Sequence, residues 1–168
     1  VIEGLEHFPP DQPILFAANH QGIFDGPLLD LALGHRPTVG LTAPYQYFPW
    51  PISFWFSQIG GIDVARDEDE AKKYPTANTP KRAVQLMVNE LAVKRRSALL
   101  FPEGHVEKKP HLIEFKTGAV RIALLAGVEL VPVTIQGTRH TFMPGRLLFL
   151  PGTITVTFHS VSPLPNDP

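Results

Sequence analysis

Apolar residues fall along this chain in short runs, each broken by glycine, proline or a polar island. Ile14-Leu15-Phe16-Ala17-Ala18, Ser97-Ala98-Leu99-Leu100-Phe101 and Leu130 to Gln136 are too short for helices and too continuous for one-sided strands, which predicts strands covered on both faces. Thr38 to Thr42 reads as another short strand, Ile62-Asp63-Val64-Ala65-Arg66 as a loop entering a strand, and the β-branched stretch Thr153 to Phe158 as a further one. Pro132 lacks a ladder donor, so the run that holds it is expected at an edge or a bulge. Between these runs the period changes. Leu28 to Leu33 reads as a helix entered through Asp25 and Pro27 and stopped by Gly34. Thr79-Pro80 opens a second, with Val84, Met87, Val88 and Leu91 on one face. Gly118 to Ala126 is apolar nearly all round, which predicts a buried helix closed by Gly127.

The remaining stretches are punctuation. Val1 to Pro13, with three prolines, reads as an irregular lead-in; Asp67 to Lys73 as a solvated loop or frayed turn; Lys108 to His111 as an exposed loop; Ser162 to Pro168 as a tail. Strand, helix and strand in repetition predict an α/β fold: a single-domain layered sandwich spanning 1–168, its largely parallel mixed sheet flanked by helices. Tyr45 to Ile59 is the most aromatic stretch. It fits a helix packed on the sheet and equally a face set against a lipid interface, where amphipathic rings are favoured.

Composition narrows the function classes. A hydrophobic fraction of 43% excludes a disordered chain, and a net charge of −1 argues against broad capture of nucleic acid. With no cysteine there is no disulfide framework, thiol nucleophile or thiolate metal site, which fits a reducing compartment. No run of about 20 apolar residues offers a membrane span, and no leader resembles a signal peptide. The chain begins at Val1, which fits processing or an excerpt of a longer protein.

Two polar islands that follow apolar runs carry the chemistry. In Asn19-His20-Gln21-Gly22-Ile23-Phe24-Asp25 a histidine precedes a carboxylate by five residues, at a strand-to-helix junction. Histidine takes protons near neutral pH, and a carboxylate on its other ring nitrogen fixes the tautomer. On a straight helix this spacing would separate the pair by some 140°, so a turn must bring them together. Read alone, Asp25 serves equally as a helix cap and His20 as a hydrogen-bonded loop histidine. The second island is Phe101-Pro102-Glu103-Gly104-His105. Neither contains a Gly-x-Ser-x-Gly elbow or a zinc-binding His-Glu-x-x-His spacing.

In order along the chain, Asn19-His20-x-x-x-x-Asp25, Gly61 to Arg66, Phe101-Pro102-Glu103-Gly104, Phe115-Lys116-x-Gly118-Ala119 and Val131-Pro132-Val133 resemble the blocks of the glycerophospholipid acyltransferase family. Its best-known members acylate 1-acylglycerol-3-phosphate, and the likeness runs from about Ile14 to Gln136, leaving a C-terminal strand and tail over 147–168. The resemblance implies that His20 is a general base for an acceptor hydroxyl and that Asp25 orients it. A fatty acyl group would come from a thioester of coenzyme A or acyl carrier protein, with no further cofactor and no metal. It also implies acceptor contacts from Glu103 and Gly104, whose N–H would lie near the developing oxyanion. Arg66 and Lys116 are the candidates for an anionic head group. Glycerol-phosphate enzymes usually continue with Thr-Arg after Gly104, where this chain has His105 and Val106. That points to His105 as a substitute cation, or to a different acceptor, another lysophospholipid or a lipid without a terminal phosphate. The expected setting is a membrane surface on the cytoplasmic side, with peripheral attachment and no nucleic acid. An acyl-thioester hydrolase and a non-catalytic lipid-binding module are the alternatives.

Overall fold

The computed structural model describes residues 1–22, 24–34, 36–47, 49–50, 53–54, 61–106, 115–141, 150–162 and 164. Among them, seven strands form one sheet: β1 (Ile2–Glu3), β2 (Ile14–Ala18), β3 (Thr38–Thr42), β4 (Ile62–Asp63), β5 (Ser97–Leu100), β6 (Glu129–Gln136) and β7 (Thr155–Phe158). Their order is β1-β7-β6-β2-β5-β3-β4. The pairs from β6 to β4 are all parallel, β7 is antiparallel to β6, and β1 is parallel to β7. The expected α/β sandwich with a largely parallel mixed sheet is the observed fold.

The helices are α1 (Asp25–Ala32), α2 (Glu68–Lys73), α3 (Pro80–Ala92), α4 (Gly118–Ala126) and α5 (Thr138–Thr141). The connection β2–α1–β3 runs toward one side of the sheet, whereas β4–α3–β5 and β5–α4–β6 run back. Right-handed crossovers must then put α1 on one face and α3 with α4 on the other. The core divides that way. Ile14, Phe16 and Ala18 meet Leu29 and Ala32 of α1, while Leu15, Ala98 and Leu100 meet Met87 and Leu91 of α3 and Ile122 and Ala123 of α4. Because β2 and β5 are buried on both faces, their sequences are apolar without alternation.

Three expectations are corrected and a fourth, left between two alternatives, is decided. The lead-in contains β1, held by its parallel pairing to β7. Arg36 ties that segment down, donating to the carbonyls of Pro9 and Pro10 at 2.6 Å each and of Gln12 at 2.8 Å. Residues 68–73 are helical because Asp67 caps them, accepting from the Glu70 N–H at 2.8 Å, with acidic residues in the first turn and Lys72 and Lys73 in the last. Only one face of α4 is buried, and Leu125 is 59% exposed. Finally, β6 is central. Pro132 sits where the ladder to β7 ends: His159, Ser160 and Val161 stand opposite Val131 and Pro132, between the pair Val133–Phe158 and the bridge Leu130–Ser162. This one-residue bulge spares a ladder bond at the proline, so of the two alternatives it is the bulge that holds.

The aromatic stretch is described in part. Tyr47, Trp50 and Phe54 are exposed, Trp50 by 81%, so these three do not pack into the core. Phe48, Trp55 and Phe56 lie outside the described residues, as does the Lys108 to His111 loop. Among the described residues, no helix is long and apolar enough to cross a membrane.

Candidate active site

Strands β2 and β5 are neighbours, yet the chain leaves them for opposite faces of the sheet, toward α1 and α4 respectively. A crevice opens at the carboxyl ends of such a pair, and in open parallel sheets ligands bind there. Both polar islands of the sequence stand at this point, His20 two residues beyond β2 and Glu103 three beyond β5.

The first island is a tight construction around one oxygen. Asp25 is the first residue of α1 and wholly buried. Its Oδ2 accepts from the N–H groups of Gln21 at 2.6 Å and Gly22 at 2.7 Å, and lies 2.9 Å from His20 Nδ1. The turn required by the five-residue spacing is closed by the Asp25 N–H donating to Gly22 O at 3.1 Å. An oxygen that accepts from two backbone amides is an acceptor for the ring as well. Nδ1 therefore carries the hydrogen, and the lone pair of the neutral imidazole is on Nε2. The His20 side chain keeps 17% of its surface exposed, enough for one ring edge to meet a ligand.

The loop is also stitched sideways. Asn19 donates through Nδ2 to Ile135 O at 3.0 Å and accepts through Oδ1 from Ile135 N–H at 2.7 Å. Its amide thus continues the β2–β6 pairing beyond the last backbone rung. On the same side the Thr138 hydroxyl of α5 donates to Gln21 Oε1 at 3.4 Å.

The second island faces the first. The Phe101 ring stacks on the His20 imidazole, centroids 4.0 Å apart and planes at 15°. Glu103, only 3% exposed, accepts the His20 backbone N–H through Oε1 at 2.7 Å. Gly104 takes a left-handed φ of 76°, and its N–H donates to Phe101 O at 2.9 Å, closing the turn. That amide is therefore engaged within the turn, and the oxyanion contact expected of it has no geometry here. Lys116 N–H donates to Pro102 O at 3.0 Å, and its Nζ lies 3.0 Å from where a Cβ on Gly104 would stand. A side chain at Gly104 would push the lysine away.

The remaining sequence-derived residues are placed as follows. His105 is exposed beside Gly104. Arg66 follows β4 at the same edge of the sheet, but β5 and β3 lie between β4 and β2, a separation of about 14 Å at ordinary strand spacing. Its guanidinium is engaged by Glu70, with Nε 3.0 Å from Oε1. This bond raises the arginine pKa and holds the Glu70 carboxyl below its ordinary value. Phe101 as a ring partner and Asn19 as a clamp were not readable as roles from the sequence, although both lie inside the quoted blocks.

A family model described as Acyltransferase matches residues 1–136. The chain belongs to the acyltransferase family. It is 30% identical over 164 residues to a 1-acyl-sn-glycerol-3-phosphate acyltransferase of Chlamydomonas reinhardtii, covering 96% of this chain and 46% of the relative. A chloroplastic 1-acyl-sn-glycerol-3-phosphate acyltransferase of Arabidopsis thaliana is 33% identical over 139 residues, covering 82% of this chain and 36% of the relative. The chain thus spans less than half the length of these two relatives. Among solved structures, the 1-acyl-sn-glycerophosphate acyltransferase PlsC of Thermotoga maritima superposes with a TM-score of 0.69 at 25% identity, covering 96% of this chain and 60% of that one. Membership places the His20–Asp25 pair and the turn after β5 inside the matched region, whereas β7 lies beyond it.

Proposed function

We propose that the protein transfers a fatty acyl chain from an acyl thioester, of coenzyme A or acyl carrier protein, to a hydroxyl of a lysophospholipid such as 1-acylglycerol-3-phosphate. The observation that carries this reading is the bond from His20 Nδ1 to the buried Asp25 Oδ2, which leaves Nε2 as the base. Nε2 takes the proton of the acceptor hydroxyl as its oxygen bonds to the thioester carbonyl carbon. The tetrahedral intermediate then expels the thiolate, which takes the proton back from the imidazolium, leaving an ester and a free thiol. No cofactor beyond the acyl donor enters this scheme.

Lys116 and His105, beside the turn after β5, are proposed to meet the acceptor's anionic head, with Arg66 reaching it from the edge of the sheet. The exposed Tyr47, Trp50 and Phe54 lie in the connection after β3, Phe24 directly before α1 and Phe115 shortly before α4. Their exposure supports peripheral attachment to a membrane, for which we propose the cytoplasmic side.

The test is a matrix of acyl-CoA and acyl carrier protein donors against lysolipid acceptors, with product identified by mass and thiol release followed in parallel. Acylated lipid should form, and His20→Ala should lower its rate by about 100- to 10,000-fold while the protein stays folded. Thiol release that proceeds at the same rate without any acceptor would make the protein a hydrolase instead.

A further inference from the structure

We infer that the Phe101–Glu103 turn acts on the base and not on the acceptor: Phe101 and Glu103 are positioning residues for His20. The inference rests on His20 being the base, as proposed above. The register of the β2–β5 pair pairs Ala17 with Leu100. His20 and Glu103 each lie three residues past these partners, so two parallel loops leave the sheet side by side and meet at the same height. There the Glu103 carboxylate takes the His20 N–H, and the Phe101 ring covers one face of the imidazole.

Three contacts then fix three separate freedoms. Glu103 holds the backbone from which the side chain springs, Phe101 sets the plane of the ring, and Asp25 sets its rotation within that plane by holding Nδ1. What remains is the Nε2 edge, aimed one way. A phenyl face also favours the positive charge that the imidazole gains when it takes the proton. An acceptor-binding role suits Glu103 poorly. Its side chain is closed off, its Oε1 is engaged, and a negative charge would repel an anionic lipid head.

The test uses the full chain with the donor and acceptor that the matrix above identifies. Glu103→Ala should lower kcat by about 10- to 100-fold with the acceptor KM nearly unchanged, because a misplaced base costs rate and not binding. Glu103→Gln should recover most of that loss, since an amide oxygen accepts the same N–H. Phe101→Leu should lower kcat with KM unchanged, and Phe101→Tyr should restore it. If instead Glu103→Ala and Glu103→Gln both raise the acceptor KM and spare kcat, the residue binds acceptor and the inference is overturned. A second readout is independent of turnover. Hydrogen exchange at the His20 amide should be slow in the wild type and in Glu103→Gln, and fast in Glu103→Ala. Equal exchange in all three removes the Glu103 contact. Failure of every acceptor with the wild type would sink the proposed reaction and leave the exchange result standing.

Discussion

Asp25→Asn is the substitution whose outcome the geometry constrains most tightly. All three partners of the carboxylate, His20 Nδ1 and the N–H groups of Gln21 and Gly22, converge on the single oxygen Oδ2. An asparagine must put its own oxygen there, because its NH2 group would face two backbone donors. His20 Nδ1 then still finds an acceptor, and the ring keeps its tautomer. In serine proteases the equivalent change inverts the tautomer and costs about 10,000-fold. Here the loss is that of charge alone. A carboxylate whose charge centre is about 4 Å from an imidazolium contributes about 4 kcal/mol at an effective dielectric of 20. Partial solvation of a ring 17% exposed reduces that figure. A loss of about 3 to 4 kcal/mol in the transition state corresponds to a rate roughly 100- to 1,000-fold lower.

Stability should move less. Two backbone bonds pass from a charged to a neutral acceptor, each falling from about 1.5–3 to about 0.5–1.5 kcal/mol, while the cost of burying a charge disappears. The asparagine NH2 takes the place of Oδ1, which is buried without a partner, so the expected net change is about 1–3 kcal/mol, against roughly 2–6 for Asp25→Ala, which strands both donors. Steady-state transfer with thiol detection gives the rate, and denaturant unfolding gives the stability. A folded Asp25→Asn enzyme within tenfold of the wild type would refute the role of the charge. A loss of about 10,000-fold or more would refute the argument from the shared oxygen.

Two further outcomes concern the scaffold. Arg95 holds a left-handed φ of 57° just past the end of α3, where the Arg96 N–H reaches back to Glu90 O at 3.0 Å, a position that glycine ordinarily fills. Arg95→Gly should therefore raise unfolding stability by about 1 kcal/mol, measured in denaturant, and a loss of that size would show that the arginine side chain outweighs its backbone strain. The Glu70 carboxyl is held below its ordinary value of 4.5, chiefly by the Arg66 side-chain bond. A lowered folded pKa contributes stability that is complete above the ordinary value and is lost as pH falls from there through the lowered one. Glu70→Gln should accordingly cost about 0.3–0.5 kcal/mol at neutral pH and less by about pH 3.5, and a penalty that grows in acid would contradict the pairing.

What the sequence shows of this protein, and what it hides, follows from the range of each contact. The strands β2 and β5 and the cap of α3 are local matters of pattern, and they fall where hydropathy and Thr79-Pro80 put them. Asp25, by contrast, stands inside α1, whose cap is Phe24, because its carboxylate is taken by His20 and the turn before it. The helix α2 had a local signal too, in Asp67 followed three residues on by Glu70, but the density of charge reads first as a loop. The position of β6 and the open side of α4 depend on neighbours, and no run of apolar residues names its neighbours. The site divides by the same rule. Five residues separate His20 from Asp25, so their meeting needs only a turn. Eighty-three separate His20 from Glu103, and their meeting needs the β2–β5 register. A family resemblance names both residues without that register and leaves Glu103 facing the acceptor. With the register in place, the carboxylate faces the backbone of His20, the proposed base, which leaves Lys116, His105 and Arg66 as the proposed contacts for the acceptor's head group.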